Sequence, residues 1–186
     1  MMTKPILLVE DEESDVFLFQ RALNKAGVIS PVQVARDGQQ AIDYLNGAGK
    51  FANRLEFPLP GLILLDLKLP FVMGLDVLKW IRQQSGLAPI VIILSSSHEE
   101  EDIAAGYLLG ANAYLVKPAE VSKLQDMVRA INDFWLTQST PPPDSLVDRG
   151  PETLANPHTP GPAGHRWASA RGSLAQACSK RSWSDI

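Results

Sequence analysis

Charged and hydroxyl side chains follow four short apolar runs in this sequence. They are Glu10 and Asp11 after ILLV, Asp66 after LILL, Ser95 after IVIIL and Lys117 after AYLV. Such runs are typical of strands that are buried on both faces of a parallel sheet. Because the carboxyl ends of parallel strands meet at one edge, where open α/β sheets bind their ligands, we expect these side chains to converge.

Three carboxylates at one edge of a sheet imply a cation. Two carboxylates about 4 Å apart repel each other by about 4 kcal/mol at an effective dielectric constant of about 20. Oxygen ligands with a single lysine nearby suit Mg²⁺, which keeps some of its waters and bridges to phosphate oxygens. The chemistry that such a site favours is in-line attack of Asp66 on phosphorus, which gives an aspartyl phosphate.

The first 136 residues alternate between apolar runs and helical patterns that would position these groups. Strands are predicted at 6–9, 32–35, 62–65, 90–94 and 113–116, and helices at 14–27, 39–46, 74–84, 99–110 and 121–136. This alternation predicts an α/β fold in which a five-stranded parallel sheet is covered on both faces by five helices. The pattern leaves the strand order open. The connection at 47–61 is long for a fold of this type.

The composition changes at Thr137. Residues 137–186 are rich in Pro, Gly, Ser and Ala and lack a sustained apolar period. We predict that this segment is a disordered extension of a single domain at 4–136. Its basic and Trp residues could alternatively bind a partner or a membrane surface weakly. Nothing in it resembles a helix-turn-helix or a catalytic domain, so an output would pass through protein contacts.

Composition and charge argue against several classes of protein. A net charge of −4 disfavours a surface that coats nucleic acid. The longest strongly apolar runs, such as 90–94, are too short to span a bilayer, and acids follow the N-terminal apolar run too closely for a signal peptide. A single cysteine, Cys178, excludes an internal disulfide and fits a reducing compartment. We therefore expect a cytoplasmic protein without nucleic-acid or membrane partners.

Four segments carry a resemblance to a known family. They are LLVEDE (7–12), LILLDLKLP (62–70), VIILSSS (91–97) and AYLVKPAE (113–120). All four occur in order at strand ends, and from about Lys4 to Leu136 the chain resembles a response-regulator receiver domain. The long loop at 47–61 and the segments DLKLP and SSSHEEEDI resemble, in particular, the single-domain regulators that are paired with cyanobacterial phytochrome kinases.

The resemblance implies a flavodoxin-like sheet with strand order 2-1-3-4-5 and a phosphorylation switch. A sensor histidine kinase, of the phytochrome type in this subfamily, would phosphorylate Asp66, and an unknown downstream protein would receive the signal. Asp11 would be the principal Mg²⁺ ligand, Glu10 would act through water, and the backbone carbonyl of Lys68 would complete the protein's share of the coordination. Glu10 stands where Asp is common, a change that a water-mediated contact tolerates.

The resemblance also implies roles for residues of the last two strands. Ser95 and Lys117 would each bond a phosphoryl oxygen, and Tyr114 would swing inward when Ser95 moves. The Lys117–Pro118 peptide bond would be cis. Two alternatives stay open, because Ser95 could simply belong to a loop and Tyr114 could be an ordinary core residue.

Further acids follow the first strand end. Glu12, Glu13 and Asp15 are interpreted as solvated charges, or as charges that favour the dipole at the start of the next helix. No chemical role is assigned to them.

Three classes of function compete. The first is a phosphorylation-driven switch, which is not an enzyme beyond slow self-catalysed phosphorylation and dephosphorylation. An aspartate-nucleophile phosphatase would usually carry a second acid two residues after the nucleophile, where this sequence has Lys68. The third class is a receiver-like interaction module, or a phosphorelay intermediate without a direct output. The intact set of Asp11, Asp66 and Lys117 favours the switch.

The last predicted helix carries more apolar residues than one core-facing stripe needs. Leu124, Val128, Ile131 and Trp135 form that stripe at three- and four-residue spacing. A neighbouring strip holds Met127 and Phe134, and the preceding helix adds Ile103 and Tyr107. We predict that these four residues form the face of a two-fold homodimer, built from helix 4, strand 5 and helix 5. The alternative is that helix rotation places Met127 and Phe134 in the core.

Overall fold

The computed structural model describes residues 4–84 and 89–140, and these form five strands that alternate with five α-helices. The elements are β1 (Ile6–Val9), α1 (Glu13–Lys25), β2 (Val32–Ala35), α2 (Gly38–Asn46), β3 (Leu62–Leu65), α3 (Gly74–Gln83), β4 (Ile90–Ser95), α4 (Glu100–Leu108), β5 (Ala113–Val116) and α5 (Val121–Ile131). A 3₁₀ turn at Gly49–Phe51 and a π-helical segment at Asn132–Gln138 complete them. Each predicted element is present, although the predicted end of α5 at 136 falls inside the π-helical segment.

The five strands form one parallel sheet in the order β2-β1-β3-β4-β5, which confirms the order that the resemblance implies. Val9 is the register partner of both Ala35 and Leu65, and Leu65 pairs with Ile93. β1, β2 and β3 therefore end at matching positions, and β4 runs two residues further, to Ser95. The residues that follow β1 and β3 in the sequence, Glu10 and Asp66, must therefore lie side by side.

Two apolar layers bury the faces of the sheet. On one face, residues such as Leu8, Leu64 and Ile92 pack with the apolar stripes of α1 and α5. On the other face, alternate strand residues such as Val9 and Ile93 pack with α2 and α3. Burial on both faces explains why β1 and β3 are uninterrupted apolar runs, whose residues are at most 1% exposed.

The long loop at 47–61 is anchored by an aromatic cluster and by Arg54. The rings of Tyr44, Phe51 and Phe57 contact one another edge to face, with centroids 5.2–6.1 Å apart. The guanidinium group of Arg54 donates hydrogen bonds to the carbonyls of Tyr44 and Leu45, which lie in the last turn of α2. The Tyr44 carbonyl also accepts a bond from the Gly47 amide over 3.2 Å, so Arg54 is its second partner, whereas for Leu45 the guanidinium group supplies a donor that a helix end often lacks.

Close backbone approach holds the start of α3 against the end of β3. A Cβ atom at Gly74 would lie 2.0 Å from the carbonyl oxygen of Asp66, and the Gly74 amide donates to the carbonyl of Leu67 over 2.9 Å. Only glycine permits this contact. The residue that follows β3 is therefore held from both sides, by the sheet and by α3.

Some predictions concern residues that the structure does not describe. Of the predicted extension at 137–186, residues 141–186 lie outside the described part of the chain, and Cys178 is among them. Among the helices of residues 4–84 and 89–140, none combines the length and the apolar character that crossing a membrane requires.

Candidate functional site

Three carboxylates meet at the carboxyl edge of the sheet. Glu10, Asp11 and Asp66 each place an oxygen atom within 4.8 Å of the oxygens of the other two. Glu10 and Asp66 follow the register partners Val9 and Leu65, and the Asp66 amide donates to the Val9 carbonyl over 3.1 Å. Glu10 is 1% exposed and Asp66 is 7% exposed, whereas Asp11 is only half-buried. The predicted convergence of these acids is confirmed.

Lys117 places its ammonium group among the acids. Its Nζ atom lies 2.5 Å from Glu10 Oε2, 3.1 Å from Asp15 Oδ2 and 3.5 Å from Asp66 Oδ2. Asp15 lies in the first turn of α1, as the interpretation of a helix-terminal charge requires, and its side chain is 36% exposed. The contact with Lys117 is an addition that the sequence did not predict.

Lys117 reaches these acids with an ordinary trans peptide bond before Pro118. The predicted cis bond is wrong, because none of the peptide bonds between described residues is cis. Trans is the default for X–Pro, and nothing in the position of Nζ demands the other isomer. The Lys117 amide donates to the carbonyl of Ser95 over 2.8 Å, which continues the pairing of β4 and β5 past its last register pair.

Burial dominates the electrostatics of the site. Loss of hydration raises the pKa of Glu10 to about 7, although the hydrogen bond from Lys117 and its charge act in the opposite direction. Burial likewise raises the pKa of Asp66, against the opposing charge of Lys117 and a hydrogen bond from the Leu67 amide. For Lys117, burial alone would lower the pKa, but the hydrogen bond to Glu10 and the surrounding carboxylates raise it.

The donor set fits a divalent cation. All available ligand atoms are carboxylate oxygens, the type that Mg²⁺ and other hard ions prefer. Oε1 of Glu10 is buried and has no hydrogen-bond partner among the described residues. A buried carboxylate oxygen left in this state costs free energy, and a cation or one of its waters at this point would remove that cost.

The loop after β3 orients Asp66. The Leu67 amide donates to Oδ1 of Asp66 over 2.8 Å, so that Oδ2 is the oxygen on the side of Lys117. Lys68 lies next in this loop with an exposed side chain. Its backbone position, two residues after Asp66, is compatible with the carbonyl ligand that the resemblance implies.

Ser95 and Tyr114 belong to one hydrogen-bonded unit. Ser95 is fully buried at the end of β4, and its Oγ accepts a hydrogen bond from the Ser97 amide over 3.1 Å. The phenol of Tyr114 donates to the carbonyl of Ser97 over 3.1 Å. A Cβ atom at Gly106 would lie 2.6 Å from Cδ1 of Ile93 and 3.3 Å from the Tyr114 ring, so the glycine lets α4 approach both side chains closely. Ser97 therefore links Ser95 to Tyr114, and Tyr114 lies against α4.

The residues predicted for a dimer face are not equally exposed. Tyr107 and Phe134 are 53% and 54% exposed. Ile103 is half-buried, and Met127 is half-buried against the core layer of α1 and α5. The alternative of a core position is therefore partly correct for Met127. Tyr107 also accepts a hydrogen bond from the Tyr114 amide over 3.3 Å, which places it beside the Ser95–Tyr114 unit.

Comparison with known proteins gives matches in sequence and structure. Residues 6–129 match the response regulator receiver domain family. The response regulator Rcp1 of Synechocystis sp. is 41% identical over 140 residues, which cover 75% of this chain and 93% of Rcp1. The crystal structure of the phosphorylated cyanobacterial phytochrome response regulator RcpA superposes with a TM-score of 0.71 at 41% identity, covering 76% of this chain and 99% of RcpA. The Mn²⁺-bound form of Rcp1 gives a TM-score of 0.69 at 40% identity, with 75% and 99% coverage.

The raised pKa of Glu10 predicts a pH-dependent effect of Glu10→Gln in metal-free protein. Between the ordinary value of 4.5 and about 7, the folded protein binds more protons at Glu10 than the unfolded chain. The wild type should therefore lose stability as the pH rises through this window, while Glu10→Gln lacks this loss. Urea unfolding in the presence of a chelator measures this effect. The unfolding free energy of Glu10→Gln minus that of wild type should grow by about 2.5 kcal/mol from pH 5 to pH 8.

A matched control for this measurement is Glu120→Gln, which removes an exposed carboxylate that pairs with Lys123. Its difference from wild type should stay constant over the same pH range. A constant difference for Glu10→Gln as well would contradict the buried, desolvated state of Glu10.

Proposed function

The chain belongs to the response regulator receiver domain family, and from this premise we propose that it takes a phosphoryl group from a sensor histidine kinase onto Asp66. The observation that carries this proposal is the position of Asp66, which is buried between two further acids and beside a lysine at the edge of the sheet. The protein then acts as a switch and not as an enzyme with its own substrate. At most it catalyses its own phosphorylation and dephosphorylation slowly.

The transfer itself requires little from the protein beyond position and charge. An oxygen of Asp66 attacks phosphorus in line, a new P–O bond forms, and the bond from phosphorus to the histidine nitrogen of the kinase breaks. Oδ1 already accepts a hydrogen bond from Leu67, which fixes the plane of the carboxylate. Oδ2, on the side of Lys117, is the oxygen that we assign as nucleophile.

We further propose that the divalent ion is Mg²⁺. As the resemblance implies, we assign Asp11 as the direct ligand, and Glu10, whose buried Oε1 has no hydrogen-bond partner among the described residues, acts through a water. The backbone carbonyl of Lys68 and the Asp66 carboxylate complete the protein ligands. When bound, the ion supplies the positive charge that the phosphoryl oxygens need. The crystal structure of Rcp1 in its Mn²⁺-bound form shows that a relative of this chain binds a divalent ion, which supports the proposal.

Lys117 and Ser95 complete the site after transfer. The Lys117 ammonium donates to one phosphoryl oxygen. The Ser95 hydroxyl keeps its hydrogen for another, since its Oγ at present only accepts a bond from Ser97. Movement of Ser95 toward the phosphoryl group would pull on Ser97 and release the phenol of Tyr114. Tyr114 then carries the signal to the surface formed by α4, β5 and α5.

The relatives support a phytochrome-type kinase as the source of the phosphoryl group. RcpA is a cyanobacterial phytochrome response regulator, and its structure matches 76% of this chain. The domain on which this function depends extends from residue 4 to residue 136, and residues 137–186 are an extension that it does not need. The receiving partner is a protein, and neither nucleic acid nor a membrane is required. A single cysteine favours a cytoplasmic location.

A homodimer through the α4-β5-α5 face is the second part of the proposal. Tyr107 and Phe134 expose about half of their large side chains, and Val116 between them in the fold is 38% exposed. Ile103 and Met127 border these residues with partly exposed side chains. A two-fold axis would place each apolar face against its copy. Since Tyr107 bonds to the backbone of Tyr114, phosphorylation could tune the strength of this contact.

Phosphorylation of wild type and Asp66→Asn tests the first part of the proposal. Incubation with acetyl phosphate and Mg²⁺ should add one phosphoryl group to the wild type, and intact-mass spectrometry should show none on Asp66→Asn because the amide is not a nucleophile. Asp133→Asn, which changes an exposed carboxylate of the π-helical segment, is the matched control and should be labelled like wild type. Labelling of Asp66→Asn to the wild-type extent would refute the assignment.

Sedimentation equilibrium of wild type and Phe134→Asp tests the dimer. The wild type should be dimeric at micromolar concentration. The variant should be monomeric, because the two-fold axis places a charge from each copy in an apolar contact. Asn132→Asp adds a charge to the same π-helical segment at a half-buried position and serves as control. A wild type that is monomeric with and without the phosphoryl group would rule out this dimer.

A further inference from the structure

Asp15 shares Lys117 with the two buried acids. An ammonium group has three N–H donors, and two of those of Lys117 form hydrogen bonds to Glu10 and Asp15, at 2.5 and 3.1 Å. The third contact, to Asp66, is longer at 3.5 Å. Glu10 and Asp66 follow strands, whereas Asp15 belongs to the first turn of α1. Lys117 therefore connects the edge of the sheet to a helix.

Asp15 stands apart from the acids that fit the cation. Among the described residues, the set whose oxygens lie within 4.8 Å of one another consists of Glu10, Asp11 and Asp66. The side chain of Asp15 is 36% exposed, against 13% for Lys117 and 2% for Glu10. Asp15 is therefore the most exposed of the three carboxylates that contact Lys117.

When Asp66 is phosphorylated, Lys117 loses the Asp66 carboxylate as a partner but keeps Asp15. In the proposed function, Glu10 meets a water of the cation through Oε1, which has no hydrogen-bond partner among the described residues, and its Oε2 stays with Lys117. Asp66 becomes an acyl phosphate without a free carboxylate. Glu10 and Asp15 are then the two carboxylates that hold Nζ, and of these only Asp15 lies outside the set that fits the cation.

A lysine that loses one of its partners is more difficult to hold in one position, because its long side chain gains rotamer entropy when it is released. Asp15 is itself held, because the buried residues Val16 and Phe19 fix α1 to the sheet and because a helix N-terminus favours a carboxylate in its first turn. The Asp15 carboxylate therefore restricts the positions that the Lys117 ammonium group can take.

On this basis we propose that Asp15 is a positioning residue for phosphoryl transfer, which holds the Lys117 ammonium where a phosphoryl oxygen on Asp66 can bond to it. The inference rests on the proposed function, since Lys117 must contact the phosphoryl group. Asp15 acts through Lys117 and contacts neither the phosphoryl group nor the cation. An exposed ion pair of no consequence is the alternative, because such pairs often contribute little.

A double-mutant cycle separates these alternatives. The rate of labelling at Asp66 by acetyl phosphate with saturating Mg²⁺ is measured for wild type, Asp15→Ala, Lys117→Ala and the double variant. Asp15→Ala should be slower by about fivefold, the upper range for a partly exposed ion pair. In the Lys117→Ala background the same change should have no further effect, because the residue through which Asp15 acts is gone.

Two further variants keep the test decisive if Lys117→Ala fails to fold. Asp15→Asn retains an oxygen acceptor at the same place and should recover part of the lost rate. Glu13→Gln removes a charge from the same turn of α1 at an exposed position and should react like wild type. Circular dichroism and urea unfolding check that each protein is folded.

The possible results overturn the inference and the proposed function separately. If wild type is labelled at Asp66 and Asp15→Ala is equally fast, the inference fails alone. Equal slowing by Asp15→Ala in both backgrounds, or equal slowing by Glu13→Gln, also overturns it, since either would show a general charge effect. If the wild type is never labelled, the proposed function is contradicted, and so is the role of Asp15 that rests on it.

Discussion

Mutual repulsion of buried carboxylates is the constraint on which the rest of this structure depends. Glu10, Asp11 and Asp66 meet within a few ångströms at the end of two central strands, and two of them are almost completely buried. At an effective dielectric constant of about 20, each close pair costs about 4 kcal/mol when both groups are charged. One lysine cannot neutralise three acids. The site is therefore suited to a divalent cation and, with it, to a phosphoryl group.

The scaffold keeps the acids from moving apart. β1 and β3 are buried on both faces and are held in register, so Glu10 and Asp66 cannot separate without breaking the centre of the sheet. Gly74 brings α3 into contact with the backbone of Asp66 on the far side. The lysine is held in turn, by the pairing of β5 with β4 and by Asp15. Two hydrogen bonds join the neighbouring residues of the site, from the Ser97 amide to Oγ of Ser95 and from the Tyr114 phenol to the Ser97 carbonyl.

Sequence reasoning located the centre of this site because strand ends are visible in a sequence. Apolar runs followed by Glu10, Asp66 and Lys117 predict convergence through topology alone, and the structure agrees. Asp15 was not recognised because three acids follow Asp11 within four residues, and only the position of Lys117, 102 residues later, distinguishes Asp15 from the others. Met127 was placed on the surface for a similar reason, because its half-buried position depends on the rotation of α5 against α1, which the pattern of α5 alone does not determine. The Lys117–Pro118 isomer was taken from the family and not from the residues, and it was wrong.

The effect of Mg²⁺ on stability tests the central claim most directly. A cation that binds only the folded protein raises the unfolding free energy by about 1.4 kcal/mol for each tenfold increase in free ion above its dissociation constant. Urea unfolding of wild type across a range of Mg²⁺ concentrations should show this slope. Asp11→Asn should lose most of the effect, and Glu10→Gln should lose less, because a water-mediated ligand contributes less than a direct one. A wild type whose stability is independent of Mg²⁺, or variants that respond as strongly as wild type, would contradict the account.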